Sequence, residues 1–165
     1  MKRRQVILIL IFGFNIAIGQ AVISGEWRSN LDNNKLWLNS DDTFLYKWNY
    51  DMASSWSQGT WRVNGDTKHL IMIAVYDTIS YYDFGRQTHI DSLFLSPDLI
   101  PNRTTVEESY SAVLSSGGQN RVQCPSQLYH KRGKLYGVDE SRGVITNKIY
   151  RTVNGKRSKY YYIKT

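Results

Sequence analysis

Between Asp42 and Tyr50 the chain alternates strictly. Phe44, Tyr46, Trp48 and Tyr50 are aromatic, and Leu45, Lys47 and Asn49 separate them. Successive side chains of a β-strand point to opposite faces, so this stretch predicts a strand with one aromatic face. Gly59 to Val63 reads as a second strand, and Asn64-Gly65 as the favoured two-residue turn into a run from Leu70 to Val75. Lys68 to Tyr76 is apolar at most positions whatever their parity, which predicts a central strand covered on both faces. Ile23–Ser29 and Leu36–Leu38 read as strands before the aromatic one, Ile79–Phe84 and His89–Leu95 as strands after it. Asp32-Asn33-Asn34, Asn39 to Asp42, Asp51 to Ser55 and Gly85 to Gln87 supply the turns, because Asn, Asp and Gly tolerate left-handed backbone. Turn signals about 8–12 residues apart are the spacing of a β-sandwich or barrel.

The pattern changes between Ser96 and Pro125. Thr105-Val106-Glu107-Glu108 is a capping box, and Val106, Tyr110, Val113 and Leu114 recur on one helical face before Gly117. We therefore expect a short helix over 105–116. Short strands resume at 127–131, 134–138, 144–152 and 157–164, with Asn154-Gly155 as a second tight turn. The fold class expected is all-β: an antiparallel up-and-down meander closing into a barrel, with one short helix.

Lys2, Arg3 and Arg4 precede an apolar run from Val6 to Ile18, and Ala17-Ile18-Gly19 places small residues where a signal peptidase reads. The run is shorter than the roughly 20 residues a membrane-spanning helix needs. Residues 1–19 are thus expected to be a signal peptide, leaving 20–165 as one exported domain, periplasmic or secreted. The single cysteine, Cys124, excludes an internal disulfide framework, and its distance from the expected cleavage point argues against a lipid anchor.

The net charge of +7 conceals an asymmetry. Residues 20–120 hold seven basic and twelve acidic residues, whereas 121–165 hold eleven basic ones against Asp139 and Glu140. Lys148, Arg151, Lys156, Arg157 and Lys159 are candidates for a surface that meets an acidic protein or a membrane. The alternative is that they are solvated outer positions of the last hairpins. Nucleic acid is not an expected partner of an exported chain.

Two Gly-x-Trp elements, Gly25-Glu26-Trp27 and Gly59-Thr60-Trp61, flank Asp41-Asp42-Thr43-Phe44. Over about residues 20–95 this combination resembles the small lipocalin-like domains of exported Bacteroidetes proteins. In that pattern a Gly-x-Trp opens the barrel and Asp-Gly-Thr-Phe precedes the third strand; here Asp42 stands in place of the glycine. The resemblance implies a lipocalin-like barrel and a habit of holding small apolar or amphipathic molecules. It implies no catalytic residues.

The candidate ligand-binding residues are Phe44, Tyr46, Trp48, Tyr50 and Trp61, because a barrel of about eight strands is either filled by such side chains or holds one small ligand among them. No cofactor is expected. His89 and Asp91 share a strand face, but a metal site needs a third ligand, and none is identifiable. No nucleophile elbow, zinc-protease motif or phosphate loop is present, so a binder is expected rather than an enzyme.

Overall fold

The computed structural model describes residues 23–51, 53–64, 68–108, 122–139, 141–146, 149–151 and 155–165. The expected signal peptide, the expected helix beyond residue 108, Gly65, Asn154 and Lys148 lie outside them. In chain order the strands are β1 (Gly25–Ser29), β2 (Lys35–Leu38), β3 (Thr43–Tyr50), β4 (Ala53–Asn64), β5 (His69–Ala74), β6 (Tyr76–Asp83) and β7 (Thr88–Leu95). They continue as β8 (Arg103–Thr105), β9 (Gln127–Lys131), β10 (Lys134–Asp139), β11 (Val144–Ile145), β12 (Ile149–Arg151), β13 (Arg157–Lys159) and β14 (Tyr162–Lys164).

Eight strands close an antiparallel barrel in the order β1-β2-β3-β4-β5-β9-β10-β14, with β14 pairing back onto β1. The expected up-and-down meander is therefore present. Its strand count is reached differently. The strands expected at 79–84 and 89–95 leave the barrel: β6 and β7 form a hairpin, and β8 joins β6 in parallel to complete a separate three-stranded sheet. A second excursion, β11 to β13, separates β10 from β14, with β12 and β13 paired as a two-stranded sheet.

The aromatic strand is built as its alternation predicts. Phe44 pairs with Gly59, Tyr46 with Ser57 and Trp48 with Ser55, so each inward ring faces a small residue across the ladder. Large-against-small pairing lets rings fill a narrow barrel without collision. It also explains why β4 starts at Ala53, where the serines suggested a loop. Gly59 has no spare room: a Cβ there would lie 2.1 Å from the Ile73 carbonyl oxygen and 2.8 Å from the Phe44 ring. The packed core consists of Ile23, Trp27, Leu36, Leu38, Phe44, Tyr46, Trp61, Leu70, Met72, Leu128, Leu135 and Tyr162, joined by Cys124. The Trp27 indole donates to the Ile23 carbonyl at 2.8 Å, and that of Trp61 to the Asn39 carbonyl at 3.0 Å. Neither buried N–H is left unmet.

Two expectations about β5 change. Ile73 is 51% exposed, so this strand is covered on its inner face and not on both. Asn64 pairs with His69 and so belongs to the ladder and not to the turn expected at Asn64-Gly65. A two-residue turn lies at Arg132-Gly133, where Lys131 pairs with Lys134 and both turn residues have positive φ (51° and 69°). That is the backbone twist a type I′ hairpin requires. Asp42, in the place of the pattern's glycine, takes φ 66°. The expected capping box is formed: Glu108 N–H donates to Thr105 Oγ1 at 3.2 Å, and Thr105 N–H donates to Glu108 Oε2 at 3.0 Å, opening a helical turn at 106–108.

Candidate functional site

The inward face of β3 grades from one end of the barrel to the other. Phe44 is 1% exposed and Tyr46 3%, Trp48 is half-buried, and Tyr50 is 72% exposed. The strand thus runs from the packed core at Phe44 and Tyr46 to an open rim at Tyr50. A cavity of about 530 Å³ opens there, with Tyr46, Trp48 and Tyr50 on one wall and Tyr150, Tyr160 and Tyr162 among its other lining residues. Such a volume lies within the range of small-molecule sites. Trp48 and Tyr50 stack at 6.3 Å between ring centroids, and Tyr150 tilts against Tyr160 at 5.8 Å. Phe44 and Trp61 sit in the packed core and do not line the cavity.

One wall is polar. The turn after β1 carries Asp32 and Asn34, and the chain entering β14 carries Tyr160 and Tyr162. Asn34 Nδ2 donates to the Tyr160 hydroxyl and to Asp32 Oδ2, both at 2.9 Å. The Tyr160 hydroxyl lies 3.3 Å from that of Tyr162 and 3.4 Å from Asp32 Oδ1. Asp32 Oδ1 also accepts from the Asn34 backbone N–H at 3.0 Å, and the Ser29 hydroxyl closes on the same oxygen. Residues 128 positions apart in sequence are thus fixed together, because β1 and β14 are neighbours in the closed barrel. Asn34 is 4% exposed, and its Oδ1 has no hydrogen-bond partner among the described residues.

Burial pushes the Tyr46 hydroxyl well above the usual phenol range, with the neighbouring Tyr160 adding to the effect. Tyr162 is raised by burial and then by Tyr46 and Tyr160. Tyr160 is raised by burial against the opposing hydrogen bonds from Tyr162 and Asn34. All three are neutral donor-acceptors at physiological pH. Cys124 lines the cavity too; burial pushes its thiol up to about 11, so it is a small apolar wall group and not a thiolate nucleophile. Among the described lining residues Asp32 is the only charged one.

Of the candidate ligand-binding residues Tyr46, Trp48 and Tyr50 line this cavity, whereas its other lining residues Asp32, Asn34, Tyr150, Tyr160 and Tyr162 were not among the candidates. The run Tyr160-Tyr161-Tyr162 carried a usable signal. On a strand the outer two share a face, and Tyr161 turns away to lie under the Lys134 ammonium at 3.9 Å. Of the candidate partner residues, Lys156, Arg157 and Lys159 are exposed, Arg151 pairs through its backbone with Arg157, and Lys148 lies outside the described residues. His89 packs edge-on against Tyr82, while Asp91 engages Arg103 and Ser80 on the β6–β7–β8 sheet. Among the described residues no group of three metal-ligating side chains converges. No family model matches the chain, and no curated protein or solved structure matches it.

Proposed function

We propose that this protein is an exported, lipocalin-like binding module without enzymatic activity, and that it holds one small amphipathic molecule in the cavity at the barrel mouth. The observation that carries the reading is the contrast between the two ends of the barrel: a packed core that includes Trp27 and Trp61, and at the open end a cavity of about 530 Å³ walled by rings with polar tips. Trp48, Tyr50 and Tyr150 offer faces to an apolar or planar body. The Asp32–Asn34–Tyr160–Tyr162 network offers hydrogen bonds to a polar end. A few placed polar groups in a mainly apolar wall are what orients a ligand in such a site. With Asp32 as the only charge on the described lining, a neutral or cationic head suits the cavity better than a carboxylate. Export is supported by the basic start and apolar run of residues 2–18.

The test uses the neutral fluorophore N-phenyl-1-naphthylamine. A saturable, one-to-one rise in its emission is expected, weakened at least tenfold by Trp48→Ala with the circular dichroism spectrum unchanged. Native mass spectrometry on protein purified gently from its own envelope should then show an extra mass that leaves on denaturation. Unsaturable fluorescence, or saturable binding that Trp48→Ala leaves intact, would overturn the reading.

A further inference from the structure

The outer wall of the barrel carries a second concavity, unrelated to the mouth. His69 on β5, Tyr129 and Lys131 on β9, and Tyr136 on β10 all point outward, because their neighbours Leu70, Leu128 and Leu135 point into the core. Tyr129 pairs across the ladder with both His69 and Tyr136, and its ring meets the His69 ring edge-on at 4.7 Å. Gly143, Val144 and Ile145 at β11 and Lys159 of β13 line the other side. Between them lies a cleft of about 630 Å³.

The charge in this cleft is one-sided. Lys131 ends β9, Arg132 occupies the first position of the type I′ turn, and Lys159 comes from β13; none of the described residues that line the cleft is acidic. Lys131 and Arg132 have no ion-pair partner among the described residues. Three cations from three elements around a tyrosine floor give the cleft a positive potential that favours an anion. The planar guanidinium fork suits tetrahedral oxyanions, and tyrosine faces suit the ring that carries one.

We propose that this cleft is a second ligand site, which binds a phosphate monoester through Lys131, Arg132 and Lys159 with the attached group against Tyr129 and Tyr136. The monoester belongs either to a soluble sugar phosphate or to a lipid headgroup. The site is independent of the barrel-mouth cavity and stands whether or not that cavity is filled.

Calorimetric titration of the full chain with glucose 6-phosphate, inorganic phosphate, glucose and glucuronate is the test, alongside sedimentation with phosphatidylcholine vesicles with and without phosphatidic acid. Glucose 6-phosphate is expected to bind, glucose not at all, and glucuronate at least tenfold more weakly; raised salt should weaken binding throughout. Preference for phosphatidic acid vesicles over glucose 6-phosphate assigns the lipid source, and the reverse assigns the soluble one. Arg132→Asn removes the charge while creating the Asn-Gly pair that a type I′ turn favours, so the hairpin should keep or gain stability. It should weaken binding about tenfold, the effect of losing one charge-assisted hydrogen bond. Lys131→Gln is the second variant. The proposal is overturned by no binding of any phosphate ligand, by glucuronate binding as tightly as glucose 6-phosphate, or by affinity that survives both variants.

Discussion

Replacing Gly59 by alanine adds one methyl group to a strand whose φ any residue accepts, yet the barrel has nowhere to put it. The new carbon would lie 2.1 Å from the Ile73 carbonyl oxygen and 2.9 Å from the Ala74 Cα, both backbone atoms of the neighbouring strand, and 2.8 Å from the Phe44 ring. A carbon and an oxygen need roughly 3.3 Å, the short end of ordinary contacts between them. The β4–β5 ladder must therefore open by about 1 Å, or the Phe44 ring must leave its rotamer. Overpacking of this kind costs about 1–3 kcal/mol, and stretching a hydrogen bond of the β4–β5 ladder beside this non-hydrogen-bonded pair costs about 1 kcal/mol more. The lower entropy of unfolded alanine returns about 0.5–1 kcal/mol. The net expectation is a loss of about 1–3.5 kcal/mol. Urea unfolding followed by tryptophan emission reads this directly; with a slope of about 2 kcal/mol/M the midpoint falls by about 0.5–1.8 M. Gly137→Ala is the control, since its added carbon meets nothing nearer than Thr146 Oγ1 at 3.7 Å. A Gly59→Ala midpoint within error of both parent and control would refute the packing argument.

Asp42→Gly should stabilise the barrel by about 0.5 kcal/mol, because it relieves a φ of 66° at a β-branch-free but side-chain-bearing residue; a lowered melting temperature would contradict this. The raised ionisations of Tyr46, Tyr160 and Tyr162 favour the folded state below the ordinary phenol pKa of about 10, and that contribution is lost as pH rises further. Absorbance at 295 nm should therefore show the exposed tyrosines ionising first and these three only in a later, cooperative step that coincides with loss of near-ultraviolet circular dichroism. A single smooth titration of all twelve tyrosines would refute it.

The aromatic strand was legible because eight residues of period-two alternation admit one local reading, and the capping box because its two hydrogen bonds are set by spacing alone. Barrel membership was not legible. β6 and β7 alternate as well as any barrel strand does, and nothing local says that Tyr76 to Asp83 pairs with its own hairpin partner and, in parallel, with Arg103–Thr105. The serines of β4 looked like a loop because their role depends on the rings opposite them, which sequence adjacency does not reveal. The same limit divides the candidate site. Tyr46, Trp48 and Tyr50 share one strand and were found together, whereas Asn34 and Tyr160 meet only once the barrel has closed. Their partnership is tertiary, and single-strand periodicity carries no trace of it.

The seam between β1 and β14 has a kinetic consequence. β1 near one end of the chain waits for three residues, Tyr162 to Lys164, near the other, and the two excursions lengthen the loops that must close before they meet. Pairings of such sequence separation are slow to form, since the entropy of loop closure is lost before any contact is gained. A chain emerging from a ribosome thus carries β1 as an open edge until β14 arrives, and an exposed edge invites strand exchange with a neighbour. The polar end of the barrel, where Asn30 bonds Lys159 and Tyr161, and Asn34 bonds Tyr160, acts as a clasp on that late step. Barrel completion and cavity assembly are one event, so a molecule that binds among the tyrosines favours the closed seam by mass action.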